Sequence, residues 1–196
     1  MRPSRNKIIT VVKTCIFELV VNFQRQPYTY LFESDIQADL YARLCSRLSR
    51  PVEVNGSGNP EHTYKTGIVH TEYWKRIDIV CLDPESDQWS RIRTHMGSDV
   101  HIYELPILVG IELKYRKMGD VFGLSSCIAD FEKLNIHKIQ YPVALGFLQN
   151  RSYEDAFFKG LPYRRDCIEA KEIDPFGSVH VISPGKVWKI HMGTSF

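Results

Sequence analysis

The chain has 196 residues, of which 43% are hydrophobic and 24% charged, a size and composition typical of one globular domain with a sizeable core. Its formal net charge of +2 is too small to indicate a nucleic-acid partner, so such a partner must be argued from local groups of residues. Five scattered cysteines without a Cys-x-x-Cys pair argue against a disulfide framework or a structural zinc site, and predict a reduced, cytoplasmic protein. The longest apolar segment, residues 8–23, is interrupted by Lys13, Glu18 and Asn22 and predicts neither a signal peptide nor a membrane span.

Two amphipathic helices are predicted in the first 50 residues. Apolar residues recur at helical spacing over residues 8–23. A second helix is predicted over residues 34–48, where Ser34 and Gln37 have the spacing of a capping box. Its apolar stripe consists of Ile36, Leu40, Leu44 and Leu48.

After residue 51 the pattern changes to that of β-strands. Strands are predicted at residues 52–54, 66–74 and 76–82, and residues 83–104 have the composition of a polar loop or insertion. The strand over residues 76–82 is apolar on both faces, yet it contains Asp78. An aspartate there is unfavourable both in propensity and in burial, so Asp78 requires a partner.

The next strand carries two charged residues inside a buried segment. Residues 105–115 form an apolar run that is interrupted by Glu112 and Lys114. Because side chains alternate along a strand, these two charged groups share one face. A buried ion pair is often no more stabilising than apolar groups of the same shape. The pattern therefore indicates a structural ion pair, a partly exposed strand end, or an active site that holds a metal ion.

A third helix is predicted over residues 121–136, with Asp130, Lys133 and His137 on its polar side. Because this helix lies between two strands, it predicts a crossover connection and hence parallel pairing in a mixed sheet. No repeat or linker interrupts residues 1–196, which predicts one domain. The remaining predicted elements are a strand over residues 142–148, a short helix over 153–159, and a hairpin over 179–190 with its turn at Pro184-Gly185.

Two segments, Arg76-Ile-Asp-Ile-Val80 and Val109-Gly-Ile-Glu-Leu-Lys114, are hydrophobic strands with charged residues inside. Together they resemble the motif of the PD-(D/E)XK nuclease superfamily. Glu33, just before the second helix, is similar to the acidic residue that members carry on a preceding helix, with Asp35 or Gln37 as alternatives. The resemblance covers residues 30–150. It implies an α/β fold in which helices flank a mixed central β-sheet, with the α-β-β-β-α-β core of restriction endonucleases, to which the N-terminal helix and the C-terminal hairpin are additions.

The resemblance implies a metal-dependent nuclease that hydrolyses nucleic-acid phosphodiester bonds, most simply those of DNA, with Mg²⁺ as cofactor and Mn²⁺ able to replace it. Asp78, Glu112 and the Leu113 carbonyl are then the expected metal ligands, because Mg²⁺ prefers oxygen donors. Lys114 is expected to orient the attacking water and to counter the charge that develops on the phosphate. Glu33 is expected to act as an outer carboxylate.

Nucleic-acid contacts are expected from residues close to this motif. Tyr115, Arg116 and Lys117 follow it directly, and Lys133 lies on the polar side of the next helix. Asp130 and Lys133 are further candidates for the site, or alternatively a solvated ion pair on the helix surface. Aromatic residues that could stack on bases, but that are more often part of a core, are Tyr73, Trp74 and Trp89.

Two other interpretations of the sequence stay open. In one, the protein has a nuclease fold without catalysis and only binds nucleic acid or a protein partner. In the other, it is an α/β protein in which Glu112 and Lys114 are merely an ion pair. The sequence also leaves open whether the chain acts as a monomer or a homodimer, whether it is an endonuclease or an exonuclease, and which nucleic-acid structure it acts on.

Overall fold

The structure is a computed structural model that describes residues 2–48, 52–55, 63–90 and 105–192. Its helices are α1 (Arg5–Arg25), α2 (Glu33–Leu48), α3 (Leu124–Ile136) and α4 (Glu154–Phe158). Its strands are β1 (Val52–Asn55), β2 (Thr63–Thr66), β3 (Val69–Tyr73), β4 (Ile77–Leu82), β5 (Ile107–Arg116), β6 (Tyr141–Leu148), β7 (Arg165–Ile168), β8 (Ser178–Ser183) and β9 (Lys186–Ile190).

Seven of these strands form one mixed sheet in the order β3-β4-β5-β6-β8-β9-β7, and β1 pairs with β2 in a separate antiparallel ribbon. β5 runs parallel to β6, and β6 runs parallel to β8, whereas the other neighbours are antiparallel. The predicted crossover through α3 is therefore confirmed. In its described part the chain is an α/β protein with a seven-stranded mixed sheet and four α-helices.

Helices cover both faces of this sheet. α1 and α2 share a core with the side chains of Leu145 and Phe147 on β6. α3 and α4 pack on the opposite face, against Ala144 and Leu148 of the same strand. Because side chains alternate along β6, a continuous apolar sequence is needed to fill both layers. None of the helices that the structure describes is long and apolar enough to cross a membrane.

α3 packs directly against two glycines of the sheet. A Cβ atom at Gly110 on β5 would lie 3.0 Å from Leu134 Cδ2, and one at Gly146 on β6 would lie 3.0 Å from Cys127 Sγ. Larger residues at these positions would push α3 outward. The close approach brings the polar side of α3 within reach of the charged residues on β5.

Most predicted elements are present, with differences at their ends. The apolar stripe of α2 is buried as predicted, but the predicted capping box is wrong because Ser34 lies inside the first turn and the Gln37 amide bonds to β4. α3 begins three residues later than predicted, with Gly123 as its N-cap, and leaves Val121 exposed. The short edge strand β7 was not predicted, and residues 91–104 of the predicted polar loop lie outside the described residues.

Candidate active site

β4 and β5 separate at the point where the motif residues lie. Their antiparallel pairing covers Leu82 to Ile79 on β4 and ends before Asp78. Beyond that point, the Asp78 carboxylate accepts a hydrogen bond from the Leu113 N–H at 2.7 Å. The Glu33 carboxylate accepts one from the Tyr115 N–H at 3.0 Å. Two carboxylates thus accept hydrogen bonds from the backbone of β5 just beyond the end of its pairing with β4. They connect β4 and the start of α2 to the same stretch of β5.

The face of β5 that carries Glu112 and Lys114 lies against α3. Glu112 Oε1 is 2.5 Å from Lys133 Nζ, and Lys114 Nζ is 3.0 Å from Asp130 Oδ2. Lys114 Nζ also lies 3.8 Å from Glu33 Oε1, so its ammonium group stands between α2 and α3. Glu112 and Lys114 each pair with a residue of α3, which differs from the alternative in which they form an ion pair with each other.

Glu112 is the most deeply buried charged group of this cluster, with 3% of its side chain exposed. Apart from the ion pair with Lys133, no described residue donates a hydrogen bond to its buried Oε1. Burial and the nearby charge of Asp78 raise the pKa of Glu112 to about 8, although the Lys133 ammonium opposes this shift. The carboxylate therefore has less positive charge around it than its ionised form requires.

Two further acidic groups of the site, Asp78 and Glu33, also have raised pKa values. Burial raises the pKa of Asp78 and that of Glu33, against the opposing effect of Lys114. Burial also acts to lower the pKa of Lys114, but its contact with Asp130 and the charges of Glu33 and Asp78 outweigh burial and raise it. Lys114 is therefore an ammonium at neutral pH.

Glu72 is a fifth carboxylate at this site, and the sequence pattern did not indicate it. The Gln37 side-chain amide donates to Glu72 Oε1 at 3.2 Å and to the backbone carbonyl of Asp78 at 2.8 Å. The charge of Glu72 contributes to the raised pKa of Asp78. Its φ of 50° lies in the left-handed region that glutamate rarely adopts. An exposed glutamate next to a hairpin is indistinguishable in sequence from an ordinary surface residue.

Two of the predicted nucleic-acid contacts are interior residues, so the prediction is wrong for their side chains. Tyr115 is buried and its hydroxyl donates to the Tyr30 carbonyl at 2.6 Å. Arg116 is also buried, and its guanidinium donates to the Phe122 carbonyl. Both residues follow the charged positions on a strand that stays covered to its end, which short-range patterns do not reveal.

Lys117 and Lys133 are only partly buried, but both have intramolecular partners. Lys117 Nζ donates to the Leu31 carbonyl at 3.1 Å and lies 4.0 Å from the centre of the Phe32 ring. Lys133 is the partner of Glu112 described above. Of the three aromatic candidates for base stacking, Tyr73 and Trp89 are core residues, whereas 42% of Trp74 is exposed.

The donor set fits a hard divalent cation. In the described part of the chain, no three His, Cys, Asp or Glu side chains form a ready-made metal site. Mg²⁺ requires fewer protein ligands, usually one or two carboxylates, and water and substrate phosphate complete its coordination. The Asp78 and Glu112 carboxyls are close enough for a hydrogen bond between them to affect the pKa of Asp78. The Leu113 carbonyl also lies at the site, 3.2 Å from Lys114 Nζ.

Comparison with protein-family models, curated protein sequences and solved structures finds no match for this chain.

Proposed function

We propose that the protein is a metal-dependent nuclease that hydrolyses phosphodiester bonds, with DNA as the first substrate to test. The observation that carries this proposal is the convergence of acidic groups from α2, β4 and β5 around the Lys114 ammonium, where two neighbouring strands separate. If the separate ribbon of β1 and β2, which lies between α2 and β3, is set aside as an insertion, the order α2-β3-β4-β5-α3-β6 is compatible with the α-β-β-β-α-β core of restriction-endonuclease-like proteins. Both features support the resemblance on which the proposal rests.

Asp78 and Glu112 are the residues that would hold Mg²⁺, with the Leu113 carbonyl as a further oxygen donor. A Mg²⁺ ion bound there lowers the pKa of water and neutralises charge on the phosphate. The excess of carboxylates favours such a cation, because the described part of the site has five acidic groups and the two ammonium groups of Lys114 and Lys133.

Lys114 contributes charge to the reaction and does not act as a base. Its raised pKa keeps the ammonium group protonated at neutral pH. Asp130 holds the ammonium group in place. The ammonium group can then stabilise the negative charge that develops on the phosphate in the transition state. Glu33 fixes the start of α2 to β5 through the Tyr115 N–H, and so positions both its own carboxylate and Lys114.

The ion pairs between β5 and α3 favour one competing interpretation, a purely structural role. Glu112 and Lys114 each have a close partner without any metal ion. If these pairs serve only the fold, joint replacement of Glu112 and Lys133 by leucine should be tolerated or stabilising, because a well-packed apolar pair commonly matches a buried ion pair.

The decisive experiment compares wild type with Glu112→Gln and with a matched control, Glu132→Gln, which changes an exposed glutamate on α3. Single-stranded DNA, duplex DNA and RNA are incubated with each protein in Mg²⁺ or Mn²⁺, and Mn²⁺ binding is measured by calorimetry. We expect wild type and Glu132→Gln to bind metal and to cleave, and Glu112→Gln to do neither. Metal and DNA binding without cleavage would indicate a binding protein, and equal metal binding by all three proteins would refute the site.

A further inference from the structure

A cavity of about 480 Å³ is lined by the β3–β4 hairpin, the start of β5 and the segment that follows α3. This volume falls within the roughly 300–1,000 Å³ that is common for small-ligand sites. The cavity is mostly apolar, with an imidazole and an ammonium group at its wall. Its lining includes Trp74, Pro106, Ile107, His137, Lys138 and Ile139.

One wall of the cavity is a pair of aromatic rings that is partly open to solvent. The ring centres of Trp74 and His137 are 4.9 Å apart, and 42% of Trp74 is exposed. Lys75 Nζ lies 5.7 Å from the centre of the Trp74 ring, and Lys138 lines the cavity. A partly exposed aromatic ring with two ammonium groups near it suits a flat aromatic ligand that carries negative charge nearby.

The cavity and the carboxylate cluster share two elements, α3 and the β3–β4 hairpin. On α3, His137 follows Lys133 by four residues, a separation of about 6 Å along the helix axis. In the β3–β4 hairpin, Trp74 follows Glu72 by two residues and precedes Asp78 by four. The wall formed by Trp74 and His137 is therefore the part of the cavity nearest the carboxylate cluster, and a substrate strand with a phosphate at the proposed active site would reach this wall.

We propose that this cavity binds one unpaired nucleobase of the substrate strand, which makes single-stranded nucleic acid, or a single-stranded end, the preferred substrate. This inference rests on the proposed nuclease function and deepens it. A base inside a duplex is stacked on both sides and must be extruded before it can enter such a pocket, whereas an unpaired base is free to enter. Stacking on an aromatic side chain is tolerant of sequence, and lysines beside it can contact the neighbouring phosphates.

The test is a binding measurement in Ca²⁺, used here as a probe that keeps substrate intact. Fluorescent single-stranded and duplex oligonucleotides are titrated with wild type, Trp74→Ala and Trp74→Phe. Trp188→Ala is the matched control, because Trp188 is a partly exposed tryptophan on β9, near the opposite edge of the sheet. Melting curves establish that each variant folds, and Mn²⁺ calorimetry reports on the carboxylate cluster independently.

We expect Trp74→Ala to weaken single-strand binding by about tenfold or more, the scale of one lost base–aromatic stack, while duplex binding and Mn²⁺ affinity change by less than about twofold. Trp74→Phe should recover most of the affinity, and Trp188→Ala should behave like wild type. Unchanged single-strand binding by Trp74→Ala, or an equal loss for duplex, would overturn the inference. If either result came with normal cleavage by wild type and none by Glu112→Gln, the nuclease proposal would stand without the base pocket. If wild type bound neither Mn²⁺ nor nucleic acid, both the nuclease proposal and the base-pocket inference would be refuted.

Discussion

At the scale of single residues, Glu72 combines an unfavourable backbone conformation with a position next to Asp78. A residue with a Cβ atom in the left-handed region is disfavoured by about 1–2 kcal/mol relative to its ordinary conformation, whereas glycine has no such cost. Strain of this kind is found most often at functional sites. Replacing Glu72 should therefore stabilise the metal-free protein and weaken its binding of a metal ion.

We expect Glu72→Gly to be more stable than wild type in chelator, by about 1 kcal/mol, because it relieves both the backbone strain and the repulsion with Asp78. The same variant should gain less stability than wild type when Mg²⁺ is added, since one negative charge near the cation is lost. Melting temperatures with chelator and with Mg²⁺ test both expectations.

Glu72→Gln is the control that separates charge from backbone conformation. It retains the strain, so it should show the smaller Mg²⁺ effect with only part of the gain in stability. A Glu72→Gly protein with the same melting temperatures as wild type under both conditions would show that Glu72 has no part in the site.

Lys114 separates catalysis from binding. If its ammonium group stabilises charge that develops only in the transition state, Lys114→Ala should lower the cleavage rate at saturating DNA by about a hundredfold or more. DNA affinity in Ca²⁺ should fall only slightly, because one phosphate contact among several is lost. Single-turnover rates and equilibrium titrations measure the two effects. Wild-type cleavage at saturation would refute the proposed role.

At the scale of structural elements, β5 places Glu112 inside the protein, which couples its ionisation to folding. Because the pKa of Glu112 is about 8 in the folded protein and near 4.5 when exposed, the folded state binds this proton more tightly than the unfolded state. The stabilisation is complete below about pH 4.5 and is lost as the pH rises through 8. Its size is on the order of a few kcal/mol.

In chelator, we therefore expect the melting temperature of wild type to decrease between pH 5 and pH 9 more steeply than that of Glu112→Gln, which cannot ionise at this position. Mg²⁺ should stabilise wild type more at pH 8 than at pH 5.5, because the cation binds the ionised carboxylate. If the melting temperatures of the two proteins changed equally with pH across this range, the assignment of the raised pKa to Glu112 would be contradicted.

α3 contributes a lysine that competes with any cation for Glu112. The Lys133 ammonium contacts the same carboxylate that would bind Mg²⁺. Lys133→Gln should destabilise the protein in chelator, because the buried Glu112 loses its counter-charge, and should increase the stabilisation by Mg²⁺. Thermal melts at several Mg²⁺ concentrations test this, with Lys7→Gln on the exposed side of α1 as control. An unchanged Mg²⁺ effect in Lys133→Gln would indicate that the cation does not bind at Glu112.

At the scale of the whole molecule, a small positive net charge coexists with an acidic active site. The chain carries 25 Lys and Arg residues against 23 Asp and Glu residues. Among the residues that the structure describes, five of the acidic groups lie at the site together with the lysines Lys114 and Lys133. Without a divalent cation, this local charge should repel a phosphate backbone.

We therefore expect DNA to bind about tenfold or more tightly in Ca²⁺ than in chelator at the same ionic strength. At pH 9, where Glu112 is ionised, Glu112→Gln should narrow this difference in affinity, because it removes a negative charge and prevents cation binding at this position. Fluorescence anisotropy with a labelled oligonucleotide measures the DNA affinity under both conditions. Equal affinity in Ca²⁺ and in chelator would argue against a cation between the protein and the phosphate.

Much of the element order follows from the chain alone. Helical spacing of apolar residues predicted α1, α2 and α3, and the burial of their predicted faces agrees with it. The helix between β5 and β6 predicted their parallel pairing, and Pro184-Gly185 marked the last hairpin. The short edge strand β7 has no apolar alternation long enough to be recognised in the sequence. Its place in the sheet depends on backbone pairing with β9.

The sequence by itself determined which charged residues needed an explanation, because Asp78, Glu112 and Lys114 interrupt apolar strands and a buried charge is costly wherever the strand lies. Only the tertiary structure decided how each charge is satisfied. The partners of Glu112 and Lys114 lie on α3, more than a dozen residues along the chain. The Gln37 amide binds both the Glu72 carboxylate and the Asp78 carbonyl, which brings Glu72 to the site. Neighbours of this kind depend on how elements pack, and local spacing carries no information about them.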